Sequence, residues 1–271
     1  MIKLRQMNEF DKITSRDNGR LVNLRKVRHG KDAASIFIEG RRLTEEALRS
    51  PLVLDECFVS DAFDGEDLVN AVNARGATVY FVADRLFASI SDTKTPQGIL
   101  VTAKRPKSGN NLIEDNLASA GLPLVLFLKE INNPSNLGAV LRTAEAADIA
   151  GVAVSTNSTD AFSSKSIRAS MGAVFRLPVW ENVGFEEITK WAKANDLSTI
   201  ASDISASVRY TEIDWTKPRL MIVGSEAHGL NVSELAGVDE KIVIQMENGV
   251  ESLNLAVATG IILFEAKRQN G

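Results

Sequence analysis

The chain reads as an α/β protein built on a mainly parallel sheet. Three observations predict this. Short strand-like runs alternate with helical patterning along the whole length, the mark of strand–helix–strand units. One run, LPLVLFL (122–128), is continuously apolar and bounded by polar residues, as a strand buried on both faces is. A hydrophobic fraction of 44% over 271 residues supplies a proper core without disulfide or metal staples.

The elements follow in order. A basic helix is predicted at about 17–29, then a strand, SIFIE (35–39), and a helix at about 41–49. VLDECFVS (53–60) reads as a strand, 65–74 as a helix, ATVYFV (77–82) as a strand, then a short helix and the strand GILVTA (98–103). KRPKSGNNLIEDNLASAG (104–121) is polar, with Pro106, Gly109 and paired asparagines, and is read as a linker. Beyond it come the strand 122–128, a helix at 136–149 and the strand GVAVS (151–155). Helices are expected near 164–172 and 185–195, and strands at 197–202, 220–224 and 241–246. A closing helix spans about 251–269. The domains are accordingly drawn as 1–107, a linker at 108–121, and 122–271.

Composition narrows the function. No apolar run approaches the ~20 residues of a membrane helix, and the first residues lack an apolar signal-peptide core. A cytoplasmic protein with no membrane partner is expected. Cys57 is the single cysteine, and His29 and His228 are the only histidines, so no disulfide framework and no metal site are expected. The formal net charge of −4 argues against a generic nucleic-acid binder, but the charge is unevenly spread. Residues 1–50 carry +5 and the remainder −9. A basic segment on an acidic body is either a footprint for a polyanion or a solvated helix face.

The common nucleotide fingerprints are absent. No GxGxxG follows a strand, and Gly224 and Gly229 have P-loop spacing but Leu230 and Asn231 in place of the lysine and hydroxyl. There is no GxSxG, HExxH or CxxC. Three segments remain, each at the C-terminal end of a predicted strand, where open α/β sheets place ligands. In NNPSNLGAVLRTAEAA (132–147), Asn136 reads as an N-cap, Leu137, Val140, Leu141 and Ala144 form an apolar stripe, and Arg142 points away from it. Arg142 is then an exposed surface residue or a functional one. In VGSEAHGL (223–230), two glycines bracket Glu226, permitting close backbone approach to a ligand or simply a strand-to-helix loop. In IQMENGVESLNLAVATG (244–260), capping alone would explain Ser252, but Asn254 is a poor helix former in a greasy helix.

Together these segments closely resemble the three signature motifs of the SpoU-type (TrmH-like) branch of the SPOUT methyltransferases, in order and spacing over 122–269. Residues 15–48 and 95–103 look like the small RNA-binding domain, α/β and ribosomal-protein-like, that precedes the catalytic domain in ribosomal-RNA members. The resemblance implies methylation of RNA ribose 2′-hydroxyls with S-adenosylmethionine, a sheet closed by a trefoil knot, and active sites built across a homodimer. Residue by residue, it assigns Asn136, Arg142, Glu226, Ser252 and Asn254 to catalysis. Gly224, Ile244, Met246 and Leu253 fall at positions bordering the cofactor. The chain departs from the pattern at Asn133 and Gln245, and carries Lys129 and Glu130 in place of a common Asp-Gly pair.

An arginine is a poor base at its ordinary pKa above about 12. Arg142 is therefore expected to stabilise the developing alkoxide and grip a neighbouring phosphate. Glu226 would orient Arg142 or Asn136, and Ser252 and Asn254 would hold the ribose or a water. Arg16, Arg20, Arg25, Lys26, Arg28 and Lys31 lie in and just beyond one predicted helix and are expected to meet RNA phosphates. Large-subunit ribosomal RNA is the expected substrate. Transfer RNA, a non-catalytic RNA-binding assembly role and a nucleotide-dependent phosphotransferase are the competing readings.

Overall fold

The structure is a computed structural model that describes residues 11–225 and 228–271. It divides into two compact units, one formed by the chain up to Lys107 with Phe162–Arg176, the other by Ser108–Ala161 with Leu177–Gly271.

The first unit contains β1 (Asp11–Ile13), α1 (Gly19–Arg28), β2 (Ser35–Glu39), α2 (Arg41–Leu48), β3 (Leu54–Ser60), α3 (Glu66–Ala74), β4 (Thr78–Val82), α4 (Asp84–Ile90) and β5 (Ile99–Lys104). Asn18 starts α1 by accepting the Arg20 N–H at 2.9 Å, a side-chain cap on otherwise orphaned donors. Leu21, Leu24 and Val27 then fall on one face and are buried with Phe37, Phe58, Tyr80 and Leu100. The sheet order is β1-β4-β3-β5-β2, with β5 antiparallel to both its neighbours. This smaller sheet is therefore mixed, a feature that hydrophobic periodicity does not reveal because it carries no information about strand direction.

The second unit opens with α5 (Asn110–Leu117), where the sequence suggests a linker. Ile113 is fully buried in the core beside Val125 and Phe127, and Asn116 Nδ2 donates to the Ala150 carbonyl at 3.0 Å. A Cβ on Gly151 would lie 2.8 Å from Ile113, so glycine lets this helix seat on the sheet. A single buried isoleucine among polar residues is too weak a period to betray a helix.

β6 (Leu122–Leu128), α6 (Pro134–Ala147) and β7 (Ile149–Ser155) follow. The chain then contributes α7 (Ser164–Ser170) to the first unit, held there by Arg168–Asp92 at 2.8 Å and Arg176–Glu46 at 3.0 Å. It returns for β8 (Val179–Val183), α8 (Phe185–Ala194), β9 (Ser198–Ser202), β10 (Val208–Arg209), β11 (Arg219–Val223), α9 (Val232–Ala236), β12 (Glu240–Val243) and α10 (Leu255–Asn270). The sheet order is β10-β12-β9-β11-β6-β7-β8, and every pairing is parallel. β6 lies in its interior between β11 and β7, and only Pro123 within it is not buried.

Parallel pairing puts the C-terminal ends of all these strands on one edge, and that edge carries the site. Two helix starts there differ from expectation. Asn133, not Asn136, caps α6, accepting the Ser135 N–H at 2.9 Å with Pro134 in the first turn. A residue preceding proline is held extended, which is the backbone a cap needs. At α10 the cap is Asn254, and the helix begins later than the predicted 251.

Candidate active site

A cavity of about 590 Å³ opens at the C-terminal edge of the parallel sheet. Its walls come from the end of β9 (Ser202 and Asp203), the turn after β11 (Gly224 and Ser225), and the stretch after β12 (Ile244 and Met246). Ser252, Leu253 and Asn254 close it from the start of α10, and Asn136 reaches it from the first turn of α6. All four expected cofactor positions line this space, as do three of the five expected catalytic residues.

The turn after β11 owes its shape to its glycines. Ser225 N–H donates to the Gly229 carbonyl at 3.2 Å, and Gly229 N–H returns to Ser225 O at 3.0 Å. Gly224 sits so close to this bridge that a Cβ would lie 2.4 Å from the Gly229 carbonyl carbon. Gly229 itself has φ +63°, a backbone that side chains with a Cβ resist. Glu226, which the turn contains, lies outside the described residues.

The first and third segments meet directly. Asn254 Nδ2 donates to Asn136 Oδ1 at 3.1 Å, while Asn254 Oδ1 accepts the backbone N–H groups of Ala256 and Val257 at 3.0 and 3.4 Å. Asn254 thus has an ordinary reason to stand in this sequence: it is the cap of α10. Its amide nitrogen remains turned to Asn136 at the cavity wall. Two substitutions separate the two duties. Asn254→Ala should lower stability by about 1 kcal/mol in denaturant titrations through loss of the cap, and should lose turnover. Asn254→Asp keeps the acceptor and should restore stability but not turnover; full activity would reduce the residue to a helix cap.

Arg142 is placed elsewhere. It is exposed and does not line the cavity. Six helical positions separate it from Asn136, about 9 Å along the axis and about 120° around it. The buried stripe of α6, from Leu137 through Val140 and Leu141 to Ala144, faces inward as expected, and Arg142 faces away from it.

The basic residues of the first unit divide into two groups. Arg20 pairs with Glu56 and stacks on Tyr80, its guanidinium carbon 4.3 Å from the ring centroid. Arg25 donates to the Arg16 carbonyl at 3.1 Å and Ser89 Oγ at 3.2 Å, and Arg28 donates to the Ser91 carbonyl at 2.6 Å. Burial, then the charges of Arg16 and Arg28, push the Arg25 guanidinium below its ordinary pKa. These three arginines fasten α1 to its own unit. Arg16, Lys26 and Lys31 are exposed, as Arg20 is despite its pairing.

Sequence reasoning missed Asp203, Met221, Leu230 and Ile262 in the cavity wall. The end of β9 was recognisable in principle as one more C-terminal strand end in a parallel sheet; the others are apolar residues indistinguishable from core.

The cavity falls in the size range of small-molecule sites, lined by apolar residues together with several polar ones. Gly224 is a cradle that any side chain would fill. These features define a small-molecule site at the edge of a parallel sheet, in a chain that also contains a smaller α/β unit. Residues 123–264 match the SpoU rRNA Methylase family, and residues 20–101 match the MRM3-like substrate binding domain. The chain belongs to the SpoU family: it is an S-adenosylmethionine-dependent RNA methyltransferase. It is 28% identical over 258 residues to a 23S rRNA (guanosine(2553)-2′-O)-methyltransferase of Bacillus subtilis, covering 94% of this chain and 98% of that one. The human mitochondrial rRNA methyltransferase 3 is 27% identical, with 86% and 67% covered. Among solved structures, the AdoMet-bound rRNA methyltransferase from Sinorhizobium meliloti superposes with a TM-score of 0.84 at 29% identity, covering 96% of this chain and 98% of that one.

Proposed function

We propose that this chain methylates a ribose 2′-hydroxyl of large-subunit ribosomal RNA, in the cytoplasm, as a homodimer. The observation that carries the reading is the cavity itself, where residues 136, 224 and 252–254 converge from segments far apart in sequence. Its 2′-O-ribosyl specificity and its ribosomal substrate follow the B. subtilis relative, which matches nearly end to end.

When bound, S-adenosylmethionine supplies a methyl group already activated on a sulfonium. The protein has then to position a weak nucleophile and stabilise its charge, effects worth about 7–11 kcal/mol when geometry is right. Gly224, Ile244, Met246 and Leu253 would hold the cofactor. Asn136, Ser252 and Asn254, at the wall of the same cavity, would orient the ribose. Arg142 would stabilise the alkoxide as the hydroxyl's proton passes to solvent water, its planar fork reaching the adjoining phosphate as well.

The homodimer reading rests on what one chain leaves unfinished. Arg142 is exposed on α6, and α10, which packs on α6, exposes Val257 (51%) and Phe264 (50%). With Ile261 between them at helical spacing, these residues form an apolar stripe suited to a second copy. The return of the chain from β12 to α10 against α6 is read as the trefoil tuck.

The first unit is read as the RNA-binding part, with Arg16, Lys26 and Lys31 on phosphates. Lys26→Glu with Lys31→Glu should weaken RNA binding and flatten its dependence on salt, by about 0.7–0.9 in log–log slope for each phosphate no longer neutralised. Cofactor affinity should not change. An RNA affinity and a salt slope both unchanged in the double variant would remove these residues from the interface. The substrate itself is tested by mapping 2′-O-methyl sites in RNA from a deletion strain and its parent. Loss of a single large-subunit site is expected; loss of a transfer-RNA site, or of none, would overturn the assignment.

A further inference from the structure

Lys129 ties down both ends of the turn that walls the cavity. It follows β6, whose last residue, Leu128, pairs with Val223 at the end of β11. Its backbone N–H donates to the Val223 carbonyl at 3.0 Å, holding the point where the chain enters the turn. Its ammonium lies 2.8 Å from Glu234 Oε2, in α9, where the chain has left the turn. Both side chains are largely buried, at 15% and 12% exposed.

Glu234 is in turn fixed by a capping box. Its Oε2 also accepts the Asn231 N–H at 2.8 Å, and Asn231 Oδ1 accepts the Glu234 N–H at 2.9 Å. The ion pair therefore acts on a rigid helix start rather than on a loose side chain. Leu230 and Leu235, on either side of that start, line the cavity and pack on the core. Between the two anchors lies the Gly224–Gly229 turn, closed by its own Ser225–Gly229 bridge. Gly224, Ser225, Gly229 and Leu230 are thus flanked by fixed points on both sides, and a preorganised wall loses less freedom when a ligand binds.

We propose that Lys129 and Glu234 form a positioning pair that holds Gly224, Ser225, Gly229 and Leu230 in place at the cavity wall for cofactor binding. Neither side chain lines the cavity. It acts through the turn, and so should govern affinity for the cofactor and not for RNA. This rests on reading the cavity as the cofactor site.

The test is calorimetric titration of the full-length protein with S-adenosylhomocysteine, beside RNA binding and thermal melting. Glu234→Gln retains an acceptor for the Asn231 N–H and so preserves the capping box while removing the charge. It should weaken cofactor binding about tenfold or more, as should Lys129→Met, with RNA affinity within twofold of the parent. Lys129→Arg should restore most of the loss. The double variant should cost little more than either single one, since the two residues act as a unit. In turnover the apparent KM for S-adenosylmethionine should rise with kcat largely retained. Cofactor affinity within twofold in both single variants, or parallel losses of cofactor and RNA affinity tracking the melting temperature, would overturn the proposal. Ala258→Phe, which fills the cavity from α10, separates the two layers. If it leaves cofactor binding intact, the site reading itself is wrong; if it abolishes binding while the pair variants bind normally, only the pair's role falls.

Discussion

Arg142→Ala should reduce methyl transfer by about 10²–10³-fold, the usual loss when one donor to a developing oxyanion is removed. Affinity for S-adenosylhomocysteine should stay within a few-fold, because Arg142 does not line the cavity. The more telling experiment is complementation. Arg142→Ala and Ala258→Phe, each inactive alone, are mixed after dissociation and reassociation. If Arg142 serves the partner's cavity, a mixed dimer has one site with an intact arginine and an intact cavity. Random pairing in equal amounts should then recover about a quarter of the parental activity. If Arg142 serves its own cavity, every site in the mixed dimer carries a lesion and nothing returns. No recovery, with mixed dimers demonstrated by mass, would place catalysis within one chain.

Gly224→Ala is the second variant with a large expected effect. The added Cβ would stand 2.4 Å from the Gly229 carbonyl carbon and 2.7 Å from the Leu230 nitrogen. Both are backbone atoms, which cannot rotate aside as a side chain does. The turn must open, at the ~1–3 kcal/mol typical of an overpacked site. Expressed as cofactor affinity, that is about a fivefold to 150-fold loss. Gly229→Ala is the instructive contrast. Nothing lies within 4 Å of its new Cβ, but φ is +63°. Its cost is conformational, about 1–2 kcal/mol, and falls mostly on stability. Calorimetry should therefore rank Gly224→Ala well below Gly229→Ala in affinity. The reverse order would mean that the close approach at Gly224 does not shape the site.

Much of the candidate site was legible from the chain alone. The end of β11, the segment 244–254 and the start of α6 were recognisable as loops at strand ends, and Gly224, Ile244, Met246 and Leu253 all line the cavity. Asn254 has a local role that its sequence context does not disclose. Its presence in a greasy stretch suggested work other than folding, yet it is first of all a helix cap, with the contact to Asn136 added. The six basic residues of the N-terminal segment looked alike in sequence. Arg20, Arg25 and Arg28 turned out to hold α1 in place, because a long guanidinium finds carbonyls, hydroxyls and rings that charge counting does not see.

The amino-acid sequence determined on its own the alternation of strands and helices, the buried strand at 122–128 and the three loop segments that contribute to the cavity wall. Those are local properties, written in spacing and in the residues that start and stop each element. Only the tertiary structure decided that α5 belongs to the core, that β5 runs antiparallel, and that Asn136 meets Asn254 across 118 positions of chain. It also decided that Lys129 bonds both to Val223 at the end of β11 and to Glu234 in α9. Such pairings depend on which surfaces pack together, and a one-dimensional pattern specifies the faces without specifying their partners.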